Sequence, residues 1–91
     1  MNRIEKNLII QNKLGLHARA ATQLAKLANQ FDAQITLQQQ DKTASANSVL
    51  GLMMLESHQG KEVTVISEGI DAVLAMNAIE ELIAKKFNED E

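Results

Sequence analysis

Residues 15–28 read GLHARAATQLAKLA. They bring together an imidazole, His17, and a guanidinium two places later, Arg19. The alanine and leucine that follow recur with a helical period, which predicts His17 at or beside the N-cap. Ala18, Arg19 and Ala20 then form the first turn. Backbone N–H groups in a first turn lack partners inside the helix, and with the positive end of the helix dipole they make an anion site. In its neutral form the ring offers a nucleophilic nitrogen lone pair. A phosphoryl group arriving there would meet the helix amides and the Arg19 guanidinium. Phosphoryl transfer asks mainly for positioning and charge stabilisation, and these groups supply both. Gly15 is expected to let the chain turn sharply into the helix and leave the ring uncovered.

Taken alone, one histidine near a helix start is more often a surface residue or a modest cap. Nothing else in the chain assembles a catalytic set. The serines, histidines and aspartates have no triad spacing, the acids are scattered or terminal, and the two histidines are too far apart in sequence to mark a metal pair. His58, in ESHQGK, falls at a helix exit where Gly60 can take the left-handed cap position, and it reads as structural. No metal and no cofactor is expected.

The elements that must position these residues are legible from periodicity. Ile4, Leu8 and Ile10 alternate with polar residues, with Lys6 as an interruption; Ala33, Ile35 and Leu37 do so in QITLQQ, and Val63 and Val65 in EVTVIS. This pattern marks strands of an antiparallel sheet covered on one face. A weaker strand is expected around Thr43 to Ala46. Helical spacing links Ala21, Leu24, Ala25, Leu27, Ala28 and Phe31, and again Ala72, Ala75, Met76, Ile79, Leu82, Ile83 and Phe87. Val49 to Glu56 predicts a short helix, with Ser48 or Asn47 as its N-cap. The order βαββαβα predicts an α+β open-faced sandwich, with three helices on one face of a four-stranded antiparallel sheet. The acidic end NEDE is expected to fray.

Ninety-one residues without repeats predict a single domain, 1–91. With 9 basic and 12 acidic residues and only two aromatic rings, the chain lacks the basic face and stacking platform of a nucleic-acid binder. It has no cysteine, and no apolar run long enough to insert in a membrane. A cytoplasmic location is the expectation.

GLHARAA, followed in register by NSVLGLMML and GKEVTV, resembles the HPr family of phosphocarrier proteins over nearly the whole chain. The resemblance implies the same sandwich fold and a carrier that is itself no enzyme. His17 would be phosphorylated on Nδ1 by an enzyme I-type donor charged by phosphoenolpyruvate, then discharged to a IIA-type acceptor. Arg19 would be its charge partner, with the amides of Ala18 and Arg19 binding phosphate. Ala20 stands where the family commonly has proline; its replacement should cost about 0.4–1 kcal/mol of stability and spare the chemistry. Leu14 in KLGLHAR and the acidic end look more like the nitrogen-branch carriers, NPr, than the sugar branch. Ser48 matches the family's regulatory serine and also suits a helix cap. Alternatives are a sugar-branch carrier, or a non-catalytic domain binding an anion or partner carboxylate with the same surface.

The short helix cannot bury all its apolar residues. Val49, Leu52 and Leu55, or else the opposite set, are assigned to the core, and the remainder, with Leu50 and Met53, to an exposed docking patch; Met54 is open to either set. Lys13, Arg19 and Lys26 are expected to make the surroundings of His17 locally positive and steer acidic partner faces. A carrier that docks two partners in turn is expected to be a monomer.

Overall fold

The computed structural model describes residues 2–89. Four strands, β1 (Asn2–Ile9), β2 (Gln34–Gln39), β3 (Lys42–Ser45) and β4 (Glu62–Gly69), form one sheet in the order β1-β4-β2-β3. Every pairing is antiparallel, with Leu8 opposite Val63, and Leu37 opposite both Val65 and Ala44. Helices α1 (Ala18–Ala28), α2 (Val49–Met54) and α3 (Ala72–Ala84) complete the expected sandwich, and a short 3₁₀ turn, Lys86–Asn88, follows. The connections β1–α1–β2 and β3–α2–β4 each skip one strand. Two interlocked crossovers result, which is why consecutive parallel strands can belong to an antiparallel sheet.

The alternating residues behave as the pleat requires. Ile35, Leu37, Val63 and Val65 are buried under the helices, while Glu5, Asn7 and Gln34 face solvent. Lys6, the interruption in β1, lies on the covered side of an edge strand, where its ammonium donates to Glu80 Oε1 of α3 at 2.9 Å. A charge pointing inward on an edge strand discourages pairing with another chain, and α3 supplies the partner that makes it tolerable. On α1 the buried stripe is Ala20, Ala21, Leu24, Ala25 and Ala28; on α3 it is Ala72, Ala75, Met76, Ile79 and Ile83.

Phe87 departs from expectation. It is fully buried, yet it does not continue α3, which ends at Ala84. Lys86, Phe87 and Asn88 have φ of 56, 54 and 62°, a left-handed run that turns the chain back across the domain. The third strand is also one residue earlier than expected, Lys42–Ser45.

Gly15 has φ +65° and is packed so closely that a Cβ would stand 2.3 Å from the Ser57 carbonyl oxygen. Gly60 is also left-handed, φ +89°, but a Cβ there would touch nothing. Gly15→Ala should therefore cost at least about 2 kcal/mol, combining strain with a backbone clash, and Gly60→Ala only about 1 kcal/mol. Urea midpoints at unchanged m check the contrast. Ser48→Ala, which removes the Oγ that caps α2 by accepting from Gly51 N–H, should cost about 0.5–2 kcal/mol in the same assay.

Candidate functional site

Three chain segments meet at the end of the sheet where β1 finishes and β4 begins. The loop after β1 is stitched to the segment before β4: Ile10 N–H donates to Lys61 O at 3.0 Å, Gly60 N–H to Ile10 O at 2.9 Å, and Leu16 N–H to Ser57 O at 3.0 Å. Within the loop, Gly15 N–H donates to Asn12 O at 3.2 Å, and Asn12 Nδ2 donates back to Gly15 O at 2.8 Å. This closed turn, with buried Leu16 as its anchor, sets the angle at which the chain enters α1.

His17 is the N-cap of α1. Its backbone is extended, φ −77° and ψ −179°, and its carbonyl accepts from Ala21 N–H at 2.9 Å. Its ring makes no capping bond. The imidazole stays beside the helix entrance, its side chain 25% exposed, next to the amides of Ala18 and Arg19. Ala18 is exposed, Arg19 projects outward with its side chain 68% exposed, and Ala20 is completely buried.

The third segment is the tail, which does not fray at Asn88 or Glu89. Burial of Phe87 and the left-handed turn lead Glu89 back to the histidine. Glu89 Oε2 lies 2.5 Å from His17 Nε2, and Asn12 Nδ2 donates to Glu89 Oε1 at 3.1 Å. Arg19 Nε stands 4.0 Å from Oε2, and Asn88 Nδ2 donates to Gln23 Oε1 of α1 at 3.3 Å. Burial pushes the Glu89 carboxyl up, but hydrogen bonds from His17 and Asn12, with the nearby Arg19 guanidinium, outweigh it and hold it below the ordinary carboxylate value. The ring is therefore less uncovered than a glycine-led entrance implies. Asp90 and Glu91 of the acidic end lie outside the described residues.

Ser48 is the N-cap of α2, and its Oγ accepts from Gly51 N–H at 3.0 Å. Leu52 and Leu55 are buried and Val49 packs against the core, while Leu50, Met53 and Met54 are exposed. Exposed Leu14 joins them across a shallow cleft lined by Met53, His17 and His58. His58, distant from His17 in sequence, thus lies near it in space. The left-handed exit of α2 is Glu56, φ 57°, and not Gly60, whose turn instead serves the start of β4. Lys26 is exposed in the last turn of α1. That is about 13 Å along the axis from the N-cap, outside the immediate surroundings of the ring. Lys13 and Arg19 do stand together, lining a second cleft with Leu14, Gln23 and Glu89. Among the described residues no cluster of three His, Asp or Glu fit to hold a metal occurs, and no helix is long and apolar enough to cross a membrane.

Sequence reasoning missed Asn12 and Glu89. Asn12 is a buried polar residue whose importance lies in the turn it closes. Glu89 is recognisable only once α3 is seen to run back toward the start of α1.

Residues 4–85 match the family described as the PTS HPr component phosphorylation site. Phosphocarrier protein NPr of Shewanella violacea is 55% identical over 89 residues, which cover 98% of each chain. Phosphocarrier protein HPr of Xylella fastidiosa is 40% identical, covering 96% of this chain and 98% of that one. The crystal structure of HPr-C-His from Thermoanaerobacter tengcongensis superposes with a TM-score of 0.92 at 38% identity, covering 97% of this chain and 99% of that one. HPr from Bacillus anthracis superposes with a TM-score of 0.86 at 32% identity, over 91% and 99% of the two chains. A fold reached from periodicity, a histidine at an open helix start, and likeness over almost the entire length agree: the chain belongs to the HPr family of the phosphotransferase system.

Proposed function

We propose that this protein carries a phosphoryl group on Nδ1 of His17, taken from an enzyme I-type donor and handed to a IIA-type acceptor. The observation that carries the reading is the α1 entrance. A partly exposed imidazole serves as N-cap without spending its ring on capping. The neighbouring amides and dipole are left to bind an anion, and Arg19 is largely exposed in the same turn. Contact of Nε2 with Glu89 leaves Nδ1 as the nitrogen for phosphorus.

Attack of Nδ1 on phosphorus forms the N–P bond as the bond to the donor breaks. The Ala18 and Arg19 amides and the guanidinium would hold the phosphoryl oxygens, whose charge is spread over all three in the transition state. Exposed Leu14, Leu50, Met53 and Met54 supply the apolar docking face, of which Leu14 and Met53 share a cleft with the ring, and both donor and acceptor must use it because both must reach His17. Unbranched, adaptable methionine suits a surface that fits two partners. Lys13 and Arg19 add positive charge for steering acidic partner faces, with Lys26 at the margin of such a footprint. We assign the chain to the nitrogen branch, ending on a nitrogen-type IIA protein; its likeness to the NPr of S. violacea and the large apolar Leu14 beside the site support this. Ser48 is a second modification position. A phosphate on it would place a charge of about −2 beside the docking face and weaken partner binding.

Incubation with phosphoenolpyruvate and an enzyme I-type protein should add one phosphoryl mass increment, labile to acid and stable to base. His17→Ala should abolish it, and a label that survives this substitution would refute the assignment. Arg19→Ala should slow labelling about tenfold to a hundredfold, the kinetic equivalent of one charge-assisted hydrogen bond worth about 1.5–3 kcal/mol. Transfer to a nitrogen-type IIA protein in preference to a sugar-type one tests the branch.

A further inference from the structure

A carboxylate beside a phosphate-accepting centre is a paradox, because like charge opposes the incoming group. Glu89 sits there nonetheless, its side chain only 10% exposed, bonded at Oε2 to His17 and at Oε1 to Asn12. Asn12 is itself buried and fixed by its bond to Gly15 O. The tail beyond residue 85 lies outside the segment matched by the family. The course of residues 86–89 is nevertheless specific, since Phe87 is buried and three left-handed residues bring the Glu89 carboxylate to the ring.

The contact is on Nε2, across the ring from Nδ1, and that resolves the paradox. An ionised carboxylate can only accept hydrogen bonds, so the nitrogen facing it bears the proton. We propose that Glu89 is a positioning residue for phosphoryl transfer at His17: it fixes the Nε2–H form and stabilises the positive charge the ring acquires when Nδ1 bonds to phosphorus. This role rests on the carrier function proposed above.

The step balances without any proton moving. His17 begins neutral, protonated on Nε2, and the Nδ1 lone pair forms the N–P bond. The bond between phosphorus and the donor breaks, its electron pair leaving with the donor atom. The product ring keeps the Nε2 proton and is cationic, facing the anionic carboxylate. Discharge reverses the event: the N–P pair returns to Nδ1 and the ring departs as neutral imidazole, a far better leaving group than imidazolate. Glu89 thereby serves both halves of the cycle. Arg19, 4.0 Å from Glu89 Oε2 and largely exposed, is held loosely enough to turn to the phosphate.

The test uses the full chain, Glu89→Gln and Glu89→Ala, each with phosphoenolpyruvate and an enzyme I-type protein. Initial labelling rates are read by mass, and titration of the phosphorylated ring is followed by its ¹⁵N shifts. Other charged or titratable groups around the ring are Arg19 from α1, Lys13 from the loop after β1, and Glu56 and His58 after α2; all stay constant across the series. Glu89→Ala should be labelled about tenfold to a hundredfold more slowly, as for other carboxylates that orient a histidine. Glu89→Gln, which keeps an acceptor without the charge, should fall between. In both variants the phosphorylated ring should lose its Nε2 proton at lower pH than in the unaltered chain. Should the alanine variant fail to fold, the nearly isosteric glutamine variant still reports the titration. Unchanged or faster labelling of Glu89→Ala, or an unmoved titration in Glu89→Gln, would overturn the proposal. An unaltered chain that takes no label would instead reject the carrier reading, and with it this role for Glu89.

Discussion

The open first turn of α1 is the constraint on which the rest of the site depends. Four N–H groups at any helix start need partners, and the two helix starts that matter here meet that need in opposite ways. Ser48 turns its hydroxyl inward and closes α2 upon itself. His17 caps α1 only through its backbone, and its ring stays at the surface. One start is therefore closed upon itself and the other left open. Holding an open start requires rigidity from elsewhere. The Asn12–Gly15 turn and the bond from Leu16 N–H to Ser57 O supply it, tying the histidine to the sheet through two loops.

The tail adds a second layer of support. A left-handed residue with a side chain costs about 1–2 kcal/mol, and the run Lys86–Asn88 has three. Full burial of Phe87 returns about 1.5–3 kcal/mol, and a charge-assisted hydrogen bond such as those of Glu89 is of similar size. The turn therefore holds its shape because of what lies on either side of it. Loosening the aromatic anchor would release the carboxylate as well, and so couples the core to the ring.

Most of the fold was legible because it follows from patterns with fixed periods. The alternation of Ile35 and Leu37 and of Val63 and Val65 identified the covered face, whereas helix geometry split the apolar residues of α2 into two sets and left open which of them the core would take. Lys6 was visible as an interruption, but its reason, Glu80, is on another element. Phe87 misled for a definite reason. It lies four residues after Ile83, in phase with α3, and no glycine or proline marks the break between them. Its burial was correctly anticipated and its conformation was not. His17 and Arg19 were legible because two reactive side chains fell at a helix start. Asn12 and Glu89 were not, since each acts through a partner brought near only by the sheet order and the return of α3.

The final arrangement has a directional logic. Across the imidazole, anionic Glu89 faces Nε2, and the Ala18 and Arg19 amides lie at the helix entrance that would receive phosphate. In the proposed cycle the negative phosphoryl group and the positive ring each meet the opposite charge, on opposite sides of one flat group. Reversing that order would oppose both. A helix start alone would hold the phosphate but leave the ring's positive charge unanswered; a carboxylate alone would repel the donor. A carrier must neither bind its cargo too tightly nor refuse it. Placing the two charges on separate nitrogens lets each be strong without cancelling the other.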